Sequence, residues 1–186
     1  MIKVDQVARP SQPLPQQGLD LLRAVERRSA WPRAFAAEGV ARHVGAADFA
    51  ARLRESTGPF ASVDERDAEA GELISGLPAN GLVIPAVDYA FTPNSTQFRV
   101  NTTGSAVAVL SEAFVADDFE ATLNGAPTPY FRVNHALKGV RIPAAGTWIV
   151  RFVYRPARWG VSIAAAAIGA IVLVGLLVAG PLQKHR

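Results

Sequence analysis

Few side chains in this sequence are of types that do chemistry. It has three histidines, His43, His135 and His185, and no cysteine, which excludes a cysteine nucleophile, a disulfide framework and a cysteine-based zinc finger. No HExxH, GxSxG, GxxxxGK[ST] or GxGxxG pattern occurs. An enzyme needs a nucleophile, base or metal held in reach of one another. The sequence therefore predicts no catalytic residue, no metal site and no cofactor.

Two groups of residues still offer polar chemistry. His135 follows Asn134 at a turn signal and is expected to be an exposed turn residue. Asp117, Asp118 and Glu120 offer carboxylate oxygens of the kind that calcium binds. Their spacing does not match an EF-hand loop, so a solvated acidic loop is the favoured interpretation.

The charge distribution points to a membrane surface. The formal net charge is +3, and the last of the 16 carboxylates is Glu120. The basic residues after that point are Arg132, Lys138, Arg141, Arg151, Arg155, Arg158, Lys184 and Arg186. They crowd toward an apolar run, as in a juxtamembrane surface that meets anionic lipids. A nucleic-acid-binding face would gather them on one helix or sheet, so anionic lipids, and no nucleic acid, are the predicted partners.

The apolar run, residues 161–182, carries no charge. As a helix it would measure roughly 30 Å, the thickness of a bilayer's hydrocarbon core. A buried core helix is the disfavoured alternative, because soluble helices of this length have a polar face. The sequence thus predicts one transmembrane helix over 159–183 and a short basic tail, 184–186. The predicted interface anchors are Tyr154, Arg155, Arg158, Trp159, Lys184 and Arg186.

Small residues recur at helical spacing within the predicted span. Ser162, Ala165, Ala166, Gly169 and Ala170 share one helix face. Such a face lets a second membrane helix approach closely. The alternative, that alanine and glycine merely fill an apolar span, stays open.

The preceding part of the chain shows three kinds of pattern. Residues 1–18 hold Pro10, Pro13 and Pro15 and are predicted to form an extended arm that contacts a partner. Residues 46–56 have helical periodicity. Beyond residue 86, apolar residues alternate in seven segments separated by turn signals, and Asn124-Gly125 is a type I′ hairpin signal. The predicted strands are 87–92, 96–101, 106–111, 120–123, 130–133, 139–142 and 148–154.

These patterns predict a mainly β (α+β) chain. Residues 19–158 would form an antiparallel β-sandwich or jelly-roll-like domain with an N-terminal α/β extension and one or two short helices. The single transmembrane helix would follow this domain. Exposed aromatic residues, such as Tyr89, Tyr130 or Trp148, would be candidates for sugar binding if they lie on its surface.

Several short motifs carry a family resemblance. They are Val109-Leu110-Ser111-Glu112, Leu123-Asn124-Gly125, Leu137-Lys138-Gly139-Val140, Ile142-Pro143-Ala144-Ala145-Gly146 and Phe152-Val153-Tyr154-Arg155-Pro156. In this order they resemble the C-terminal region of YfhO-like bacterial membrane proteins, which are multi-spanning and similar to GT-C glycosyltransferases. The resemblance covers about residues 20–180 and implies a β-sandwich before a last membrane helix.

The resemblance implies a fold and not an activity. The family usually has Gly-Trp where this chain has Asp117-Asp118-Phe119. The helices that bear the family's presumed catalytic loops have no counterpart in this sequence. The family analogy implies a sandwich outside the cytoplasm, whereas the start of the sequence lacks an apolar signal segment and slightly favours a cytoplasmic sandwich.

The expected function is that of a non-catalytic, single-pass accessory subunit in a bacterial inner membrane. It would dock on and stabilise a larger membrane complex, whether respiratory, photosynthetic or transport, through its helix, β domain and arm. The alternative is a membrane-tethered carbohydrate- or lipid-binding module that assists a glycosyltransferase.

Overall fold

The computed structural model describes residues 30–182, with side chains as far as Gly175. The predicted arm with Pro10, Pro13 and Pro15, and the anchors Lys184 and Arg186, lie outside the described residues. The strands are β1 (Ala34–Ala37), β2 (Val40–His43), β3 (Ala61–Asp64), β4 (Val83–Pro85), β5 (Val87–Thr92), β6 (Ser95–Thr102), β7 (Ala106–Ala113), β8 (Phe119–Leu123), β9 (Ala126–Thr128), β10 (Tyr130–Val133), β11 (Leu137–Ile142) and β12 (Gly146–Tyr154). The helices are α1 (Gly45–Glu55), α2 (Ala68–Leu73) and α3 (Trp159–Leu182).

Ten of these strands form two five-stranded antiparallel sheets. The first sheet has the order β10-β11-β7-β1-β4, and the second has the order β5-β6-β12-β8-β9. At each lateral edge the chain passes directly between the sheets, from β4 to β5 and from β9 to β10. A core cluster that includes Leu110 and Val140 of the first sheet and Phe98 and Phe152 of the second lies between them. The predicted mainly β antiparallel architecture is therefore confirmed.

The first sheet is buried on both faces. Ala106, Ala108 and Leu110 of β7 face the second sheet, whereas Val107 and Val109 pack on the opposite side. That opposite side is covered by α2 and by the parallel pair β2–β3, whose two strands are connected through α1. Burial on both faces explains why β1 and the start of β7 are continuous apolar runs rather than alternating ones.

The predicted strands match β5, β6, β7, β8, β10, β11 and β12, with ends that differ by at most two residues. The helix predicted over 46–56 matches α1. Asn124 and Gly125 have φ angles of 51° and 83° between β8 and β9, as a type I′ turn requires. Asparagine and glycine tolerate this left-handed backbone, which closes the hairpin in two residues.

Helix α3 differs from the rest of the chain. Its 24 residues carry no charge, and every one of its described side chains, 159–175, is exposed. Counted over the residues whose side chains the structure describes, which in α3 end at Gly175, no helix is both long enough and apolar enough to cross a membrane. The span predicted over 159–183 stays a prediction.

Candidate functional site

Four of the predicted interface residues lie at one junction, where the chain leaves the sandwich and enters α3. Tyr154 ends β12 and Trp159 begins α3, so Arg155 and Arg158 lie in the linker 155–158. Pro156 has no N–H to donate, which ends the strand ladder, and its carbonyl accepts the Trp159 N–H at 3.0 Å. All four interface side chains are exposed.

The acidic loop before β8 holds this linker. The Arg155 N–H donates to the Asp118 carbonyl at 2.8 Å, and the Ala157 N–H donates to the Asp118 carboxylate oxygen Oδ1 at 3.2 Å. The Arg155 guanidinium also pairs with Glu120 at 3.2 Å. Two of the three residues considered as calcium ligands thus bind the linker, and they fix where the chain leaves the sandwich.

A cleft of about 510 Å³ opens beside the junction. Its wall includes the rings of Phe91, Phe119 and Tyr154 and the polar side chains of Arg33 and Glu112. Phe91 and Tyr154 are 55% and 45% exposed. The Arg33 guanidinium lies 4.8 Å from the centre of the Phe91 ring. Exposed rings beside a guanidinium and a carboxylate suit a ligand with one apolar face and several hydroxyl or charged groups.

Glu112 is the hub of a hydrogen-bond network between the two sheets. Its Oε1 accepts from the Arg33 guanidinium at 2.8 Å and from the Thr96 hydroxyl at 2.9 Å. Its Oε2 accepts from Lys138 Nζ at 2.9 Å. Burial alone raises the pKa of the Glu112 carboxyl, but hydrogen bonds from Lys138 and Thr96 outweigh it and hold that pKa below its usual range. The carboxylate is therefore ionised at neutral pH.

Lys138 is fully buried in this network. Its Nζ lies 3.5 Å from the centre of the Phe119 ring and 5.3 Å from that of the Phe152 ring, so two aromatic rings of the second sheet add a cation–π interaction. Burial lowers the pKa of Lys138, and Glu112 opposes that shift. Both residues of the pair belong to the first sheet, and the Thr96 hydroxyl and the rings of Phe119 and Phe152 connect the pair to the second sheet.

The three aromatic residues considered for sugar binding are half-buried and use their polar atoms internally. The Tyr89 hydroxyl donates to the Ala34 carbonyl at 3.2 Å, and the Tyr130 hydroxyl donates to the Val115 carbonyl at 2.7 Å. Trp148 Nε1 donates to the Ala144 carbonyl at 3.0 Å. All three pack against the core between the sheets. The aromatic surface of the cleft comes instead from Phe91, Phe119 and Tyr154, of which the sequence singles out only Tyr154, as an interface anchor.

The predicted small-residue face of α3 lies within the described side chains. Ser162, Ala165, Ala166, Gly169 and Ala170 are exposed. The Ser162 hydroxyl donates to the Arg158 carbonyl at 3.1 Å, one helical turn back. The large side chains are exposed as well, with Ile171 at 72%. Exposure therefore does not distinguish the small-residue face of α3 from the face that carries the large side chains.

Two of the three histidines come together, which their positions in the sequence did not reveal. Donor atoms of His43, Asp64 and His135 lie within 4.8 Å of one another. His135 is exposed, as predicted, whereas His43 is 1% exposed. His185 lies outside the described residues. The sequence predicts no metal site, because no local spacing places these three residues together.

Comparisons with known proteins add no relative. The chain matches no protein-family model, no curated protein and no solved structure. The resemblance to YfhO-like proteins stays a prediction.

Proposed function

We propose that this chain is a non-catalytic, single-pass accessory subunit of a larger complex in a bacterial inner membrane. Its α3 helix would cross the membrane and dock on a neighbouring helix. The β domain, and the arm at residues 1–18, would contact other subunits outside the bilayer.

The observation that carries the proposal is the exposure of an uncharged apolar helix. Val161, Ile168, Ile171 and Leu173 of α3 are between 59% and 72% exposed. Soluble proteins rarely expose a continuous apolar surface. Where one is exposed, it marks an interaction surface or contact with a membrane. The whole helix has 24 residues, which corresponds to about 36 Å, and its sequence beyond the described side chains is also uncharged.

The junction supports the same proposal. Trp159 at the start of α3 is 64% exposed, which suits an interfacial ring. Arg155 and Arg158 precede it and are exposed, as basic residues that meet anionic lipid headgroups would be. Because Asp118 holds the linker by two hydrogen bonds, the sandwich would be carried close to the membrane rather than on a long tether.

A matched pair of substitutions tests the docking of α3. Ala166 lies on the small-residue face, and Ala164 lies almost opposite, because two helical steps rotate a side chain by about 200°. The full chain is purified in mild detergent with either Ala166→Leu or Ala164→Leu. We expect Ala166→Leu to lose partners that co-purify with the wild type in fixed stoichiometry, because a large side chain blocks close helix approach.

The Ala164→Leu control should keep those partners. A wild-type chain that purifies as a lone monomer, or partners lost equally from both variants, would contradict docking through the small face.

The cleft favours a second candidate, a membrane-tethered module that binds carbohydrate or lipid headgroups and assists a glycosyltransferase. We expect Phe91→Ala to abolish binding of such ligands to the full chain, since that ring is exposed in the cleft. Ile149, 42% exposed on β12 and absent from the cleft wall, provides the control substitution Ile149→Ala. Binding to a glycan panel that survives Phe91→Ala, or none at all, would count against this candidate.

A further inference from the structure

Main-chain pairing brings together three residues that are far apart in the sequence. His43 ends β2 and Asp64 ends β3, and the two are direct partners in the parallel pair. His135 lies in the turn between β10 and β11. All three donor groups are therefore carried by strand ends or a tight turn, which position them firmly.

Asn134 holds the turn against β3. Its side-chain oxygen accepts the Ser62 N–H at 2.8 Å, and its amide nitrogen donates to the Phe60 carbonyl at 2.7 Å. Its own N–H donates to the Ser62 carbonyl at 2.8 Å. Asn134 is 3% exposed. These bonds fix His135 beside the end of β3, where Asp64 lies.

His43 has a buried side chain that its protein neighbours do not satisfy. It is 1% exposed, and neither ring nitrogen has a hydrogen-bond partner among the described residues. Its ring centre lies 5.3 Å from that of Phe49 and 6.2 Å from that of His135. Buried polar groups nearly always have partners, so an unpaired imidazole next to a second imidazole and a carboxylate points to a bound ligand.

The protonation states suit a metal. Burial, more than any other cause, lowers the pKa of His43, although the charges of Asp64 and Asp48 oppose it. The His135 and Arg52 charges lower it further. Hydrogen bonds, above all from the Arg66 side chain, hold the pKa of Asp64 well below its usual range. A neutral imidazole and an ionised carboxylate are the forms that bind metal ions.

We propose that His43, Asp64 and His135 form a binding site for a divalent transition metal ion of the zinc class. Two imidazole nitrogens and one carboxylate oxygen are a common protein ligand set for such ions, with a fourth position open to water or another ligand. A cleft of about 560 Å³, lined in part by Asp64 and His135, gives solvent access to the site. Donor atoms around a tetrahedral zinc are about 3.3 Å apart, so the exposed His135 would move inward by a small distance.

Arg66 competes with the metal for Asp64. The Asp64 oxygen Oδ1 accepts from the Arg66 N–H and Nε, and Oδ2 accepts from the Gly45 N–H and from Arg66 Nη2. These four bonds use the roughly four lone-pair positions of the carboxylate. The Arg66 side chain is 66% exposed, so it can move away when a metal binds. Arg66 thus sets the affinity of the site without being a ligand.

Zinc binding to the full chain, in detergent and without a histidine tag, tests this inference. Isothermal titration with Zn²⁺ should give one site per chain. His135→Gly should weaken Zn²⁺ binding at least tenfold. Loss of a group that only hydrogen-bonds a metal ligand already costs about tenfold or more in affinity, and loss of a ligand itself should cost no less. Glycine fits the φ of 65° at this position. Co²⁺ bound in place of zinc should show the intense visible absorption of a tetrahedral site.

Two further variants make the test specific. Arg66→Gln should tighten Zn²⁺ binding, because it removes the guanidinium hydrogen bond from each of the two Asp64 oxygens. His185→Gln removes the one histidine that is not part of the proposed site and should leave the affinity unchanged. No binding at 100-fold excess Zn²⁺, or equal binding by wild type and His135→Gly, would overturn the site.

Discussion

Two clusters of buried polar groups differ in whether their polar atoms have partners. The cluster around Lys138 is satisfied, and the cluster around His43 is unsatisfied. Lys138 is fully buried between the sheets, and its ammonium is paired with Glu112 and covered by aromatic rings. His43 is equally buried in the parallel pair, yet its ring nitrogens have no partner among the described residues. Burial alone therefore does not identify a ligand site. A paired group stabilises the fold, whereas an unpaired one lowers stability unless a ligand completes it.

The largest expected effect comes from breaking the satisfied cluster. Glu112→Gln leaves the buried Lys138 charge without its counter-ion, which should cost about 3–5 kcal/mol of unfolding free energy. Guanidinium unfolding of the full chain, followed by tryptophan fluorescence, measures this loss. The double variant Glu112→Leu with Lys138→Met should recover most of it, because an apolar pair replaces the ions. A double variant no more stable than Glu112→Gln would show that the site cannot repack.

Acid should weaken the satisfied cluster in a defined direction. The folded state holds the pKa of Glu112 below its usual range, so the unfolded chain binds more protons at acid pH. The stabilisation from Glu112 is fully present above the usual carboxyl range and is lost as pH falls through its lowered pKa. Unfolding measured from pH 7 to pH 3 should show this loss, and it should be smaller in the double variant. Identical acid profiles would contradict the role of Glu112.

The unsatisfied cluster should respond in the opposite way. In the presence of a metal chelator, His43→Leu should raise the unfolding free energy by about 1–2 kcal/mol, because it removes buried polar atoms that have no partner. Leucine is close to histidine in volume, and the surrounding Phe49 ring is apolar. Chelated wild type and variant are compared by thermal unfolding. A marked destabilisation by His43→Leu would mean that His43 already has a stabilising partner.

The smallest effect should come from one bond of the Glu112 hub. Thr96→Val removes a single hydroxyl donor at 2.9 Å, while Arg33 and Lys138 still bind the carboxylate. We expect a loss of about 1 kcal/mol, measured in the same guanidinium titration. A loss as large as that of Glu112→Gln would show that the network is not shared among its donors.

The sequence predicted much of the second sheet and little of the α/β extension. β6 and β12 alternate because their outer faces are exposed or half-buried. The dipeptide Asn124-Gly125 predicts its hairpin turn directly. β9 has only three residues, and the four residues of β2 and of β3 do not alternate between buried and exposed. β1 is a buried apolar run without alternation, so only the segment 31–35, which resembles the start of a strand, predicts it from the sequence.

The candidate sites were predictable only in part. Lys138 has the same strand parity as the inward-facing Val140, and Glu112 the same as Leu110, so both charges could have been placed inside. The cluster of His43 with His135 depends on long-range pairing across more than ninety residues. The spacing of residues near either histidine in the sequence does not indicate that pairing.

Alkaline extraction of membranes most directly tests the proposal that α3 anchors the chain in a membrane. Membranes from cells that make the full chain are washed with sodium carbonate at high pH and sedimented. Because the apolar side chains of α3 would lie in the hydrocarbon core, we predict that the chain stays in the pellet with integral membrane proteins. Release of the chain into the supernatant would contradict the account.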